Sequence, residues 1–271
     1  MCSSQSVVLL LVITFRLPIQ TTERLYPLKR RVVILQSNYI PWVGYFALIA
    51  NSDVLVVLDS AKYTKNDWRN RNQLRGVNGL FWLTIPVDRH SVSRSIYDAT
   101  VSDPRWVRKH LISIRETLSG LPHANDVFLA IDADFSAFRD EGSLHAINLR
   151  LIRTISEVLE IDTTIVLDRE VVAMELLSRE TDPTQRLVEI CKSFGASSYL
   201  TGLKALQYLD YEKFKEAAIQ VEVADYSKLP IYDQKYDGFI PNVSILDFLA
   251  AVGFPTARKI IGATNIVPGV Y

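Results

Sequence analysis

The sequence predicts an α/β fold, a largely parallel sheet with flanking helices, and three observations predict it. Short, continuous β-branched runs, the kind that make strands buried on both faces, occur at Val32-Val33-Ile34-Leu35 and again over 53–59. Stretches of helical periodicity then alternate with further short strands. Finally, 48% of the 271 residues are hydrophobic, enough for a sizeable core.

Each element follows from local signals. A loop containing Pro41 leaves the first run, 44–50 reads as a short helix, and 53–59 as the second strand. This is a βαβ unit, a Rossmann-like start. Its right-handed crossover puts the loop after the first strand at the carboxyl edge of the sheet, where open α/β folds bind ligands. Over 79–87, Phe81, Leu83, Ile85 and Val87 alternate with Trp82, Thr84 and Pro86, a strand stopping near its proline. Asp103 and Pro104 cap and start a helix on which Trp106, Val107, His110, Leu111 and Ile114 recur at helical spacing to about Leu118. Further helices are expected over 124–138, 144–159 and 182–194, the last opening at Asp182-Pro183 and closing at Gly195. Short strands are expected at 164–167, 198–200 and 219–223, so the βαβ start is followed by additional C-terminal α/β elements.

With no repeat, low-complexity linker or composition break, one domain is expected over 31–255, with a loosely held tail at 256–271. Residues 1–30 read as a leader. Its apolar run, Ser6 to Phe15, has no basic residue ahead of it, is followed by Arg16-Leu17-Pro18, and is shorter than the ~20 residues that span a bilayer. An over-extended start or an extra packed strand is therefore expected ahead of export, with no membrane span.

Thirty basic and thirty acidic residues balance to zero, without the electropositive footprint that nucleic-acid binding needs. Cys2 and Cys191 make no disulfide framework and have no zinc spacing; a reducing, cytoplasmic compartment is expected, and no metal site. Ser-His-Asp order, a Walker loop, G-x-G-x-x-G and metalloprotease motifs are all missing from the sequence, which leaves hydrolase triads, P-loop chemistry and classical dinucleotide binding without support. No cofactor is assigned.

The residues that could carry chemistry cluster at expected strand ends. Gln36 and Tyr39 follow the first strand, and Gly44 at a helix start permits close approach of an anion to free backbone N–H groups; a plain strand-to-helix turn explains Gly44 as well. Lys65-Asn66-Asp67-Trp68-Arg69-Asn70-Arg71-Asn72 offers three cations to phosphates and a ring to stack a sugar or base. If extended, it presents Lys65, Arg69 and Arg71 on one face and Trp68, Asn70 and Asn72 on the other. The plainer reading is a solvated basic loop anchored by one tryptophan. His110 is the candidate proton carrier, although a helix histidine bonded to nearby backbone is the reading favoured for it. Asp59 either holds a substrate hydroxyl or divalent ion or begins a turn. Gly202, Lys204 and Tyr208 could form a second phosphate-facing loop; ordinary strand-to-helix geometry accounts for them nearly as well. Asp247, among apolar neighbours, reads as structural.

Several segments, in order, carry a resemblance. They are Gln36-Ser37-Asn38-Tyr39-Ile40-Pro41-Trp42-Val43-Gly44-Tyr45-Phe46; Asp59 with the Tyr63–Asn72 block; Trp106-Val107-Arg108-Lys109-His110-Leu111; Tyr199 to Leu209; and Ser244 to Leu249. Together they resemble the WbqC-like family associated with surface-polysaccharide gene clusters. Ser37-Asn38 stands where that pattern has proline and an aromatic, and Thr201-Gly202-Leu203-Lys204 where small residues are commoner. The resemblance implies transfer to or modification of an activated sugar, with Tyr45 joining the binding residues. A weaker likeness is to HIGH-motif nucleotidyltransferases, where Trp42-Val43-Gly44-Tyr45 occupies the spacing of the motif with both histidines replaced. The expected function is thus a transferase acting on an anionic, nucleotide-linked sugar by direct transfer. The alternatives are a non-catalytic binding or assembly protein of the same pathway, and a nucleotidyltransferase with an altered motif.

Overall fold

Two β-branched strands lie side by side at the centre of the sheet, and described helices cover both of its faces. The computed structural model describes residues 29–171 and 182–269, so the reading of 1–30 as a leader falls almost wholly outside the described residues. In chain order the elements are β1 (Arg30–Leu35), α1 (Val43–Ala50), β2 (Val54–Val57), β3 (Arg71–Gly76), β4 (Gly79–Thr84), α2 (Trp106–Leu118), α3 (Ala124–Ala137), α4 (Leu144–Val158), β5 (Thr164–Leu167) and α5 (Asp168–Val171). Then come α6 (Pro183–Ser193), β6 (Ala196–Gly202), α7 (Tyr211–Glu216), β7 (Gln220–Asp225), α8 (Ile245–Val252), α9 (Phe254–Gly262) and β8 (Asn265–Pro268).

Six strands form the main sheet in the order β5-β2-β1-β6-β7-β8, parallel except for β8, which runs antiparallel to β7. The α/β, largely parallel architecture is as the sequence predicts. Alternate residues serve opposite faces: Val33, Leu55, Val57 and Leu200 pack under α1, α2, α3, α4, α8 and α9, while Val32, Ile34, Val54, Val56 and Tyr199 pack under α6 and α7 with Val188, Cys191 and Phe214. All four residues of β2 are buried, each stabilising the fold by roughly 1.5–3 kcal/mol of apolar burial. Helix starts follow the capping signals: the Ser143 side chain accepts from Ala146 N at α4, and Asp182 accepts from Gln185 N ahead of Pro183 at α6. Among the described residues no helix is long and apolar enough to cross a membrane.

Three details differ from the sequence reading. The strand expected at 79–87 lies outside the main sheet; it pairs antiparallel with β3 as a separate hairpin. Gly79, at φ +100°, closes its tight turn, a conformation a Cβ would strain. The basic block is not extended: 65–70 is a series of turns, Asn66 sits at φ +57°, and only Arg71 and Asn72 enter β3. The two expected faces therefore do not form. The segment read as a tail is part of the fold as far as it is described. Gly253, at φ +76°, ends α8 and lets α9 start at once with Pro255 in its first turn; Ala257 and Ile261 are buried, and β8 adds an edge to the sheet.

Candidate functional site

The sheet order reverses between β1 and β6: the chain first builds outward through β2 and β5, then returns to the other side of β1 for β6 and β7. At such a switch point the loops leaving the carboxyl ends diverge and open a crevice. β1 leads there to Gln36 and Ser37, β2 to Asp59 and Ser60, β5 to Asp168 and Arg169, and β6 to Gly202 and Lys204.

Asp59 is fully buried. Its carboxyl group accepts from the Ser37 backbone N at 2.8 Å, the Ser37 hydroxyl at 2.7 Å and His145 Nδ1 at 2.6 Å. Because a carboxylate only accepts, Nδ1 carries a proton, which leaves Nε2 as the basic nitrogen of the neutral ring; Nε2 bonds to no described residue. His145 comes from α4, and Asn148, one turn along, donates to the Ser37 hydroxyl at 3.3 Å and to Arg69 O at 2.8 Å. One helix face thus fastens the ends of β1 and β2 and the basic loop. The His145 ring packs on Tyr97 at 4.4 Å, and the Tyr97 hydroxyl donates to Asp168 at 2.7 Å. Asp168, also fully buried, accepts from the Ser60 N–H and hydroxyl. Burial, reinforced by the bond to Asp168, pushes the Tyr97 phenol far above its ordinary range, so it stays a donor. The Arg169 guanidinium lies 4.1 Å over the Tyr97 ring.

Above this buried layer, Arg69 donates to the Gln36 side chain and pairs with Asp67 at 3.2 Å. Tyr45 donates its hydroxyl to Gln36 O at 3.2 Å. Lys65 is exposed in the turn before Arg69. The Oδ1 atoms of Asn38, Asn70 and Asn148 and the Nε atoms of Arg69 and Arg71 are buried without a protein partner. Each such group costs on the order of 1–3 kcal/mol unless water or another polar group meets it. Beside it, Arg71 stacks over Trp82 at 4.0 Å and Trp82 lies 5.5 Å from Trp68. Both indoles are 41% exposed, a ring platform on the hairpin.

Other residues singled out in the sequence sit elsewhere or are already engaged. His110 is buried between Trp106 and Tyr39, its Nδ1 2.8 Å from the Tyr39 hydroxyl. Burial pulls its pKa down to about 4 against a bond to the Thr84 backbone. Asn72 spends its amide on Tyr39 O, Ile40 O and Gln73 N, holding Ile40 at φ +40°; Asn70 donates to Ile85 O at 2.9 Å. Lys204 and the exposed Tyr208 lie on and after the turn that leaves β6. Cys191 is buried in α6, where desolvation lifts its thiol to about 12, so it offers no nucleophile. Among the described residues no three His, Cys, Asp or Glu side chains converge as a metal ion requires.

Ser60, Tyr97, His145, Asn148, Asp168 and Trp82 were not singled out from the sequence, and Ser37 only as a departure from the family pattern. Two signals mark some of them. Val57-Leu58-Asp59 recurs as Val166-Leu167-Asp168 at neighbouring strand ends, and His145 and Asn148 interrupt the apolar stripe of α4 at a spacing of one turn.

The model of the WbqC-like protein family matches residues 36–259, a span that includes every residue of this network. The uncharacterized protein Rv1507c of Mycobacterium tuberculosis is 35% identical over 229 residues, covering 83% of this chain and 94% of that protein. No solved structure matches the chain.

Proposed function

The chain belongs to the WbqC-like protein family, and from that premise we propose that it is a transferase acting on an activated, nucleotide-linked sugar in bacterial surface-polysaccharide assembly. The observation that carries the reading is the Asp59–His145 pair, buried under the Gln36–Arg69 rim at the switch point. The pair supports proton transfer: Asp59 fixes the tautomer and ring orientation, and Nε2 accepts a proton. Lys65 and Arg69 neutralise phosphate, Gln36 orients the substrate, and the Trp68–Trp82 platform stacks a sugar face. In the direct transfer, a sugar hydroxyl or amine attacks the group to be moved and its proton passes to His145 Nε2. The electrons of the breaking bond leave with the donor's leaving group. His110, bonded at Nδ1 and buried, has a positioning role through Tyr39, the residue that closes the loop onto Trp68 O at 2.9 Å.

Thermal-shift measurements on the full chain with nucleotide sugars and nucleoside diphosphates test the anion grip. A ligand at about 100 times its Kd stabilises by about 2.7 kcal/mol, which raises the melting temperature by several degrees. The shift is expected to shrink strongly in Arg69→Ala. If no phosphate-bearing ligand shifts the wild type, the reading falls. A shift in His145→Ala equal to the wild type's, with turnover lost, separates the chemistry from binding.

A further inference from the structure

On the other flank of the switch point, beyond the ends of β6 and β7, a cavity of about 250 Å³ is walled chiefly by rings and prolines. Trp42 and Tyr226 meet edge to face at 5.0 Å. Tyr232 packs at 5.2 Å against both Phe239 and Phe248. Gly44 seats the first pair: a Cβ there would collide with the Trp42 indole, whereas one on Gly202 would meet the Tyr226 hydroxyl only in ordinary contact at 3.6 Å. Gly44→Ala is accordingly expected to displace Trp42, read as a lowered melting temperature and an altered indole fluorescence.

We infer that this cavity is a subsite for one flat heteroaromatic ring, the nucleobase of the nucleotide-linked substrate; the inference rests on the reading of function above. Three observations favour a base over a hydrocarbon chain. The volume lies below that of sites for drug-sized ligands, which suits a single ring system. The walls are ring faces and edges, which pair favourably with another aromatic ring in stacked or T-shaped geometry. The lining also includes polar groups that can meet the edge of a base: the exposed Asn242 side chain, and the Tyr226 hydroxyl, which bonds to no described residue. The setting suits the rest of a nucleotide. Trp42 immediately precedes α1 and follows the Gln36–Tyr39 loop, so the cavity shares a segment with the anion-binding rim, and Lys204 and Lys228 lie on the turns that leave β6 and β7. Asn242 is held at φ +63° in a loop tied to the hairpin by the bond from Ser244 N to Gln73 O at 2.9 Å.

The test uses phosphate-free nucleosides, so that the ring is separated from the anion grip. The full chain is titrated calorimetrically with uridine, cytidine, thymidine, adenosine and guanosine, and separately with pyrophosphate. One nucleoside is expected to saturate at millimolar or lower concentration. Phe239→Ala should weaken it about tenfold, the loss of one ring contact, and Tyr226→Phe, which keeps the ring, by a smaller factor. Pyrophosphate binding should be unchanged in both. Should Phe239→Ala fail to fold, Tyr226→Phe carries the test alone. The subsite is overturned if no nucleoside binds, if both variants bind it like the wild type, or if a prenyl alcohol occupies the cavity and nucleosides do not. Nucleoside binding without pyrophosphate binding would leave the subsite standing and bring down the anion-grip reading instead.

Discussion

Asp59→Ala is expected to lose about 3–5 kcal/mol of folding stability, and all turnover with it. The Asp59 carboxyl is the common acceptor for three buried donors, the Ser37 N–H, the Ser37 hydroxyl and His145 Nδ1. Removing the acceptor leaves all three in a site that water does not reach freely, and breaking one side of a buried polar pair costs about this much. Because Asn148 relies on the same Ser37 hydroxyl, the loop after β1 should loosen and take Gln36 with it. Asp59→Asn separates the two roles. An amide of the same shape keeps its oxygen for the Ser37 N–H, while its NH₂, in place of the oxygen that the Ser37 hydroxyl and His145 Nδ1 share, donates to both, turning the hydroxyl and forcing the other tautomer onto the ring. Stability should then fall by about 1 kcal/mol or less while turnover drops at least about a hundredfold, the range of general-base catalysis. Urea unfolding and a turnover assay on the two variants read this directly. An Asp59→Ala protein as stable as the wild type would remove Asp59 from its anchoring role.

Asp247→Asn is expected to stabilise the protein at pH 7 by about 3 kcal/mol and to lose that advantage by about pH 4. Burial beside Tyr232 lifts the Asp247 carboxyl to about 6, and the bonds from Tyr232 and Gln234 and the charge of Arg75 oppose the lift only in part. A raised carboxyl pKa means that the unfolded chain ionises more readily than the folded one. The folded state is therefore penalised above pH 6, and relieved as pH falls from about 6 toward 3.8. His110 has the opposite sign. Its folded pKa, about 4, lies below the ordinary imidazole value because burial disfavours the charged ring. Its contribution is fully present above pH 6.5 and is lost, about 3 kcal/mol in all, as pH falls toward 4. The two groups offset one another over the same window, so these two titrations alone give the wild type a shallow acid limb. Asp247→Asn uncovers the His110 loss and should show a steep one. Denaturant titrations of both proteins from pH 4 to 8 at fixed salt give the difference curve, and a difference independent of pH would refute the assignment to Asp247.

The parallel strands were legible because a strand covered on both faces has no choice but apolar, β-branched residues, as Val54 to Val57 illustrate. β3 was not, because of its six residues only Asn72 and Leu74 are buried and one of those is held by hydrogen bonds rather than by apolar contact. Residues 256–271 read as a loosely held tail, yet as far as they are described a single glycine at positive φ, Gly253, turns the chain directly into α9. In the site, Asp59 could be singled out since an acid closing an apolar strand sits at a sheet edge by position alone. His145 could not, because what distinguishes it from His110 is a partner 86 residues away in sequence. Periodicity placed His110 on a helix face, and it has no means of telling a histidine that points at a carboxyl from one that points at a tyrosine.

The reversal of strand order beside β1 also constrains when the crevice can exist. β1 forms early in synthesis, yet its second neighbour is β6, with Val33 pairing to Leu200. Pairings so distant in sequence are slow to close, because chain entropy is lost before their contacts are gained. The first half of the chain must therefore wait, with one edge of β1 unpaired, for the second half to arrive. A molecule that spans the crevice, touching Gln36 on one side and Tyr226 on the other, would recognise only the finished chain.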